Sequence, residues 1–260
     1  MNLVIAQGLI LPFLGTTLGA CGVLVMKNNL HGGLRRILSA FAGGVMAAAS
    51  IWSLLIPGME LSAHMGRGAF VPSLLGFWLG TLFMLLMDKL VPHYHAESSF
   101  EEGMAVDMDK NIKLFLAVTL HNIPEGMALG IVFAGWVAGT ESITLGGAFA
   151  LALGLAIQNF PEGAIVSMPL RAGGLSKKSA MGLGILSGIV EPIFALLTIL
   201  AARFILPLLP YFLSFAAAVM IYVVVENLIP EAAEGGHWNA PTLSFAAGFS
   251  LMMVLDVALG

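Results

Sequence analysis

The sequence predicts an all-α integral membrane protein, with eight transmembrane helices in a 3+2+3 arrangement built from inverted repeats. Three observations carry this prediction: a composition poor in charge, eight apolar runs of spanning length, and residue sets that recur at matched spacing. Of 260 residues, 58% are apolar and only 10% charged, against about 25% charged in soluble domains. That is too little charge to cover a soluble surface. The net charge is −4 and the 11 Lys and Arg are scattered, so the chain has no footprint for nucleic acid. With Cys21 alone, an intramolecular disulfide and a cysteine zinc cage are both excluded. The 31 glycines suit helices that approach closely in lipid.

A span needs about 20 mostly apolar residues to cross the hydrocarbon. The first run is 3–26. It lacks a basic leader and is too long for a signal-peptide core, so it reads as a retained helix. Cys21 follows Leu18-Gly19-Ala20, a faint lipoprotein box, but apolar sequence continues to Val25 and Cys21 reads as a packing residue. The second run, 37–57, has Glu60 and His64 just beyond it, which read as a solvated rim. The third is 70–91. The loop at about 92–110 carries His93, His95, Glu97, Glu101, Glu102, Asp107 and Asp109. It reads as flexible and solvated, with weak metal sensing as the second reading. Runs four and five are 112–136 and 143–168. Runs six and seven, 180–203 and 208–229, are divided at Arg203, Pro207 and Pro210. The eighth is 241–259.

Assigning the connections alternately to two sides puts Lys27, Arg35, Arg36, Lys89, Lys110, Lys113, Arg171, Lys177 and Lys178 on one side. Only Arg67 and Arg203 fall on the other. The rich side is cytoplasmic by the positive-inside rule. The expectation is a single polytopic domain over 1–260 in the cell (inner) membrane, with both termini extracytoplasmic.

Residues 121–126 read His-Asn-Ile-Pro-Glu-Gly, and residues 158–163 read Gln-Asn-Phe-Pro-Glu-Gly. Phe77, Gly80, Met84 and Asp88 in run three match Phe245, Gly248, Met252 and Asp256 in run eight. Run two carries Phe41-Ala42, Val45-Met46 and Leu55-Ile56-Pro57. Run seven answers with Phe215-Ala216, Val219-Met220 and Leu228-Ile229-Pro230, allowing one gap. Matched runs point in opposite directions, the pattern of secondary transporters whose sites lie at the midplane on interrupted helices.

His121, Asn122 and Glu125 share one helix face, and Gln158, Asn159 and Glu162 repeat it. An ionised carboxylate at mid-bilayer costs at least ~2.5 kcal/mol unless compensated. Acids with imidazole and amide suit a divalent metal. Pro124 and Pro161 free the carbonyls of Leu120 and Ile157, which need partners in lipid. The blander reading is helix-packing glue with structural kinks, and the duplicated motif weighs against it. Glu191, before Pro192, is a third deep acid. Glu226 is read as facing either the same cavity or a helix partner, and Glu231, Glu234 and His237 as a polar loop or an exit path.

These motifs resemble the ZIP (Zrt/Irt-like) divalent metal transporters, most closely the bacterial GufA-like branch. The resemblance covers essentially the whole chain: eight spans, the His-containing loop, His-Asn-x-Pro-Glu-Gly, Gln-Asn-x-Pro-Glu-Gly, and Ser187-Gly188-x-x-Glu191-Pro192. It implies a binuclear centre between helices four and five. His121, Glu125, Gln158 and Glu162 would form one site. Asn122, Asn159 and Glu191 would form the other, with both central glutamates bridging. Some family members carry Asp at the position of Asn159, and the amide here lowers that site's charge. The resemblance also implies an elevator-like shift of helices 1, 4, 5 and 6 against 2, 3, 7 and 8, usually in a homodimer.

The expected function is secondary uptake of divalent metal into the cytoplasm by alternating access. Zn²⁺ leads, with selectivity relaxed toward Fe²⁺, Mn²⁺, Co²⁺ or Cd²⁺. The expected partners are the metal ion, the lipid bilayer and a second copy, with no nucleic acid. No P-loop is present for ATP coupling. The alternatives are an intramembrane metallohydrolase and a metal-ion channel of the same fold. His-Glu-x-x-His is absent, and the expectation is that the chain is not an enzyme.

Overall fold

A computed structural model describes residues 3–25, 31–90, 93–94, 101–102, 110–236 and 238–260. Lys27, His95, Glu97, Asp107, Asp109 and His237 lie outside the described residues, as do the side chains of His93, Glu101, Glu102 and Lys110. Eight long helices follow in order: α1 (Leu3–Val25), α2 (Gly32–Leu61), α3 (Phe70–Leu90), α4 (Lys110–Val137), α5 (Leu145–Ala172), α6 (Lys177–Leu200), α7 (Ala202–Ala233) and α8 (Asn239–Leu259). All but α4 are long and apolar enough to cross a membrane. Helix α4, with 28 residues, extends about 42 Å at 1.5 Å per residue. One departure from an all-α chain is a short antiparallel pairing of His93–Tyr94 with Glu101–Glu102 in the loop.

The expected break between runs six and seven moves. The turn falls at Ala201, two residues before Arg203, and α7 begins at once. Pro207 and Pro210 shape a 3₁₀ turn inside α7, at Leu206–Leu208, and do not end a span. Prolines near a helix start cost little because their missing N–H would be unpaired there in any case. As the unbroken runs 112–136 and 143–168 predict, α4 and α5 continue through Pro124 and Pro161. An interruption lies in α6 at Ile189, where Pro192 cannot donate to the carbonyl of Gly188.

Helices α2 and α7 each widen into a π-helical segment, Ser50–Leu55 and Val224–Leu228. Each is followed by Ile-Pro, at Ile56-Pro57 and Ile229-Pro230. Proline cannot donate to the carbonyl four residues back, and the preceding turn adjusts.

The main packing partners are α1 with α5, α4 with α6, α2 with α8, and α3 with α7. Exchanging the sequence-matched helices turns the α2–α8 pair into the α7–α3 pair. The agreement reaches single residues. Gly248 abuts the carbonyl of Phe41, and Gly80 abuts the carbonyl of Phe215, so any side chain at either glycine would strike backbone. These are the glycines and phenylalanines matched in the sequence, making one contact twice.

The core joins Met46, Leu54, Phe133, Leu151, Leu213 and Met220 across α2, α4, α5 and α7. Outward faces are equally apolar. Trp78, Leu79 and Leu82 of α3 and Leu243, Val254 and Val257 of α8 are all more than half exposed. Apolar surface on this scale requires a hydrocarbon solvent.

Candidate metal centre

Helix α4 carries His121, Asn122 and Glu125 on one face. The last two are buried, and His121 is half-buried. Helix α5 carries Gln158 and Asn159, both fully buried, and Glu162, half-buried. Glu191 of α6 is buried. Two glycines bring these helices together. Gly126 abuts the backbone carbonyl of Glu191, and Gly163 abuts that of Thr16 in α1.

Hydrogen bonds cross between the helices. Gln158 Nε2 donates to Glu125 Oε1 at 2.7 Å, joining α5 to α4. Asn159 Nδ2 donates to Glu191 Oε2 at 2.7 Å, joining α5 to α6. Thr16 Oγ1 donates to Glu191 Oε1 at 3.1 Å, and Asn122 Nδ2 donates to the carbonyl of Ser187 at 3.0 Å. The amides are thereby oriented: their N–H groups point outward to neighbours and their oxygens remain.

Of the seven side-chain oxygens buried without a hydrogen-bond partner among the described residues, four belong to this centre: Asn122 Oδ1, Glu125 Oε2, Gln158 Oε1 and Glu162 Oε2. Buried polar atoms are nearly always partnered, so this concentration on two facing helix turns is unusual. All four are acceptors, and acceptors without donors suit a cation. Glu125, Glu162 and Glu191 stand within Coulombic range of one another. Among the described residues, the ion pairs join Arg35 to Glu231 and Glu234 and involve none of these three acids. No group of three or more His, Cys, Asp or Glu side chains holds metal geometry among the described residues, so the amide oxygens are needed to complete a coordination shell.

The structure thus brings Glu125 to Gln158 and Glu191 to Asn159, and keeps Asn122 on the α6 backbone. Thr16 escaped the sequence reading. It and Thr17 are the only hydroxyls in α1, and a hydroxyl pair in so apolar a helix was the available signal. Outside this centre, Glu60 and His64 are exposed. Ser53 Oγ meets both oxygens of Asp256 at 2.9 Å, and Tyr222 donates to Asp88 at 3.3 Å. Glu226 lies on the π-helical segment of α7 and is exposed.

The close approach at Gly163 is testable. Gly163→Ala drives a methyl into the Thr16 carbonyl, and overpacking of this kind costs about 1–3 kcal/mol. Its thermal midpoint in detergent should fall, while Gly182→Ala, which has open space around it, leaves the midpoint in place.

A family model described as ZIP zinc transporter matches residues 109–256. The zinc transporter GufA of Myxococcus xanthus is 38% identical, covering 94% of each chain. The zinc transporter ZIPB of Bordetella bronchiseptica is 36% identical, covering 95% of this chain and 79% of its own. The human zinc transporter ZIP11 is 35% identical, covering 94% of each. All three relatives are named as transporters and none as an enzyme. With its apolar helices and a match over more than half its length, this chain belongs to the ZIP family of zinc transporters.

Proposed function

We propose that this chain is an eight-span secondary transporter, with α4 as the eighth crossing helix, that takes divalent metal into the cytoplasm. The ion would bind near the membrane midplane among His121, Asn122, Glu125, Gln158, Asn159, Glu162 and Glu191, with alternating access from the two sides. The observation that carries this reading is the set of four unpartnered buried oxygens on α4 and α5. The doubled Gly–Phe contact supports an inverted repeat, the architecture that supports two access states. Zn²⁺ is the substrate to test first, since the relatives are named for it. Fe²⁺, Mn²⁺, Co²⁺ and Cd²⁺ are the competitors, as one imidazole among oxygens gives a shell of borderline softness. The mostly oxygen shell, with Glu125 and Glu162 shared and Glu191 beside the second position, supports a binuclear centre. The distribution of basic residues among the loops supports a cell-membrane orientation with both termini outside the cytoplasm. A second copy is not required by the apolar faces of α3 and α8, which hydrocarbon covers.

Purified chain in proteoliposomes should take up ⁶⁵Zn²⁺ with saturable kinetics, and unlabelled competitor ions should reduce the uptake. Linear, non-saturating flux would favour a channel instead, and absence of uptake would overturn the reading. Within it, His121→Ala should weaken Zn²⁺ more than Mn²⁺, since imidazole favours the softer ion. Equal losses in competition assays would remove His121 from the shell.

A further inference from the structure

Thr16 is fully buried in α1, and its backbone is fixed by close contacts with α5. A side chain at Gly15 or Gly19 would strike the carbonyl of Ala156 or of Phe160, and one at Gly163 would strike the carbonyl of Thr16 itself. These contacts lock α1 onto α5 beside Asn159. The Thr16 side chain is enclosed by α6, where a Cβ at Gly188 would meet Thr16 Cβ, Cγ2 and Oγ1. Gly188 directly precedes the interruption at Ile189, and Glu191 stands in the first turn after it. Thr16 therefore fills the notch in α6 from which Glu191 emerges.

Glu191 accepts one side-chain hydrogen bond on each carboxylate oxygen. Oε1 takes Thr16 Oγ1 at 3.1 Å, and Oε2 takes Asn159 Nδ2 at 2.7 Å. A carboxylate offers about four lone-pair sites, so each oxygen keeps one for an ion. The Thr16 hydroxyl has a single hydrogen to give. Its other neighbour, the Pro12 carbonyl, is 3.5 Å away, and a charged acceptor at the shorter distance is the stronger of the two. With both oxygens tied, the plane of the carboxylate is set, and a binding ion does not have to order it. We infer that Thr16 is a positioning residue for the metal centre, its hydroxyl holding Glu191 Oε1 so that the carboxylate presents its remaining lone pairs to the ion. It acts through Glu191 and is not itself a ligand. The inference rests on the transport reading above and on Glu191 belonging to the ion site.

Thr16→Val exchanges the hydroxyl for a methyl. Its Zn²⁺ affinity, measured on the purified chain by equilibrium dialysis with ⁶⁵Zn²⁺, should fall by about tenfold, as loss of a group that orients a metal ligand does. Thr16→Ser keeps the hydroxyl and should bind as wild type does. Thr17→Val removes the neighbouring hydroxyl, which is buried without a hydrogen-bond partner, and should leave the affinity unchanged. A double-mutant cycle separates positioning from packing. Glu191→Ala should weaken Zn²⁺ by itself, and Thr16→Val should add little in that background, where no carboxylate is left to hold. Thermal melting of the metal-free variants in detergent checks folding. Wild-type affinity in a folded Thr16→Val overturns the inference. So does a loss that persists undiminished in the Glu191→Ala background, because that effect bypasses Glu191. Should Thr16→Val not fold, Thr16→Ala compared with Thr16→Ser takes its place in the cycle, a pair that differs in the hydroxyl alone. Full Zn²⁺ affinity in Glu191→Ala would remove Glu191 from the ion site, and the inference with it. A wild-type chain that binds no Zn²⁺ removes the transport reading itself, a result distinct from all of these.

Discussion

Glu125→Ala and Glu162→Ala should each reduce metal uptake to background in proteoliposomes. Each removes a carboxylate whose second oxygen is buried without a partner. Attraction between unit charges at ~4 Å is about 4 kcal/mol at an effective dielectric of 20, and it doubles for a divalent ion before desolvation is subtracted. Half of that, about 4 kcal/mol, corresponds to a thousandfold loss of affinity. The metal-free proteins should nonetheless fold, and Glu125→Gln should melt higher than wild type when both are stripped of metal. It keeps the shape and an acceptor for Gln158 Nε2 while removing one of three mutually repelling acids. Uptake close to wild type by either alanine variant would exclude that carboxylate from ion binding.

Asn159→Asp has the second-largest expected effect, and its sign depends on metal. Asn159 Nδ2 now donates to Glu191 at 2.7 Å. In the aspartate variant two carboxylates meet at that distance, with no amide hydrogen between them. Only a proton or a metal ion reconciles them. Stripped of metal, the variant should melt several degrees below wild type. Added Zn²⁺ should raise its midpoint by more than it raises that of wild type, because ligand binding stabilises in proportion to ln(1 + [L]/Kd). Bound metal per chain, or affinity, should rise at equilibrium, and turnover should slow. A variant whose response to Zn²⁺ equals that of wild type would show that position 159 faces no ion, and a two-ion centre would lose its main support.

Much of this architecture was legible in the sequence because lipid imposes it locally. Each crossing helix must be an apolar run of fixed length, and its ends are marked where polarity returns. The predicted 70–91 and 241–259 fall within two residues of Phe70–Leu90 and Asn239–Leu259. The shared face of His121, Asn122 and Glu125 follows from helical periodicity, which is also local. What was not legible is long-range. Nothing near Thr16 in the sequence indicates that it will bond Glu191, 175 residues away. Nothing near Arg35 points to Glu231 and Glu234. The acids at the end of α7 read as a polar loop or an exit path because their partner lies on another helix. The prolines were misassigned for a related reason. A proline states that a hydrogen bond is missing, but the tertiary packing decides whether the helix bends, widens or continues.

The pairing of α2 with α8 and of α3 with α7 bears on how the chain is made. Ribosomal synthesis delivers α2 and α3 to the bilayer long before their partners exist. During that interval the notch at Gly80 faces lipid, not the Phe215 carbonyl. The Phe41 backbone likewise waits for Gly248 of α8. Assembly therefore cannot proceed span by span. It must be largely post-insertional, with independently stable helices that sort laterally after the chain is released. A chain cut before α8 would leave α2 without its main partner, and with it the face that positions Arg35, so quality control should see a truncated product as unassembled although every remaining helix is correctly inserted.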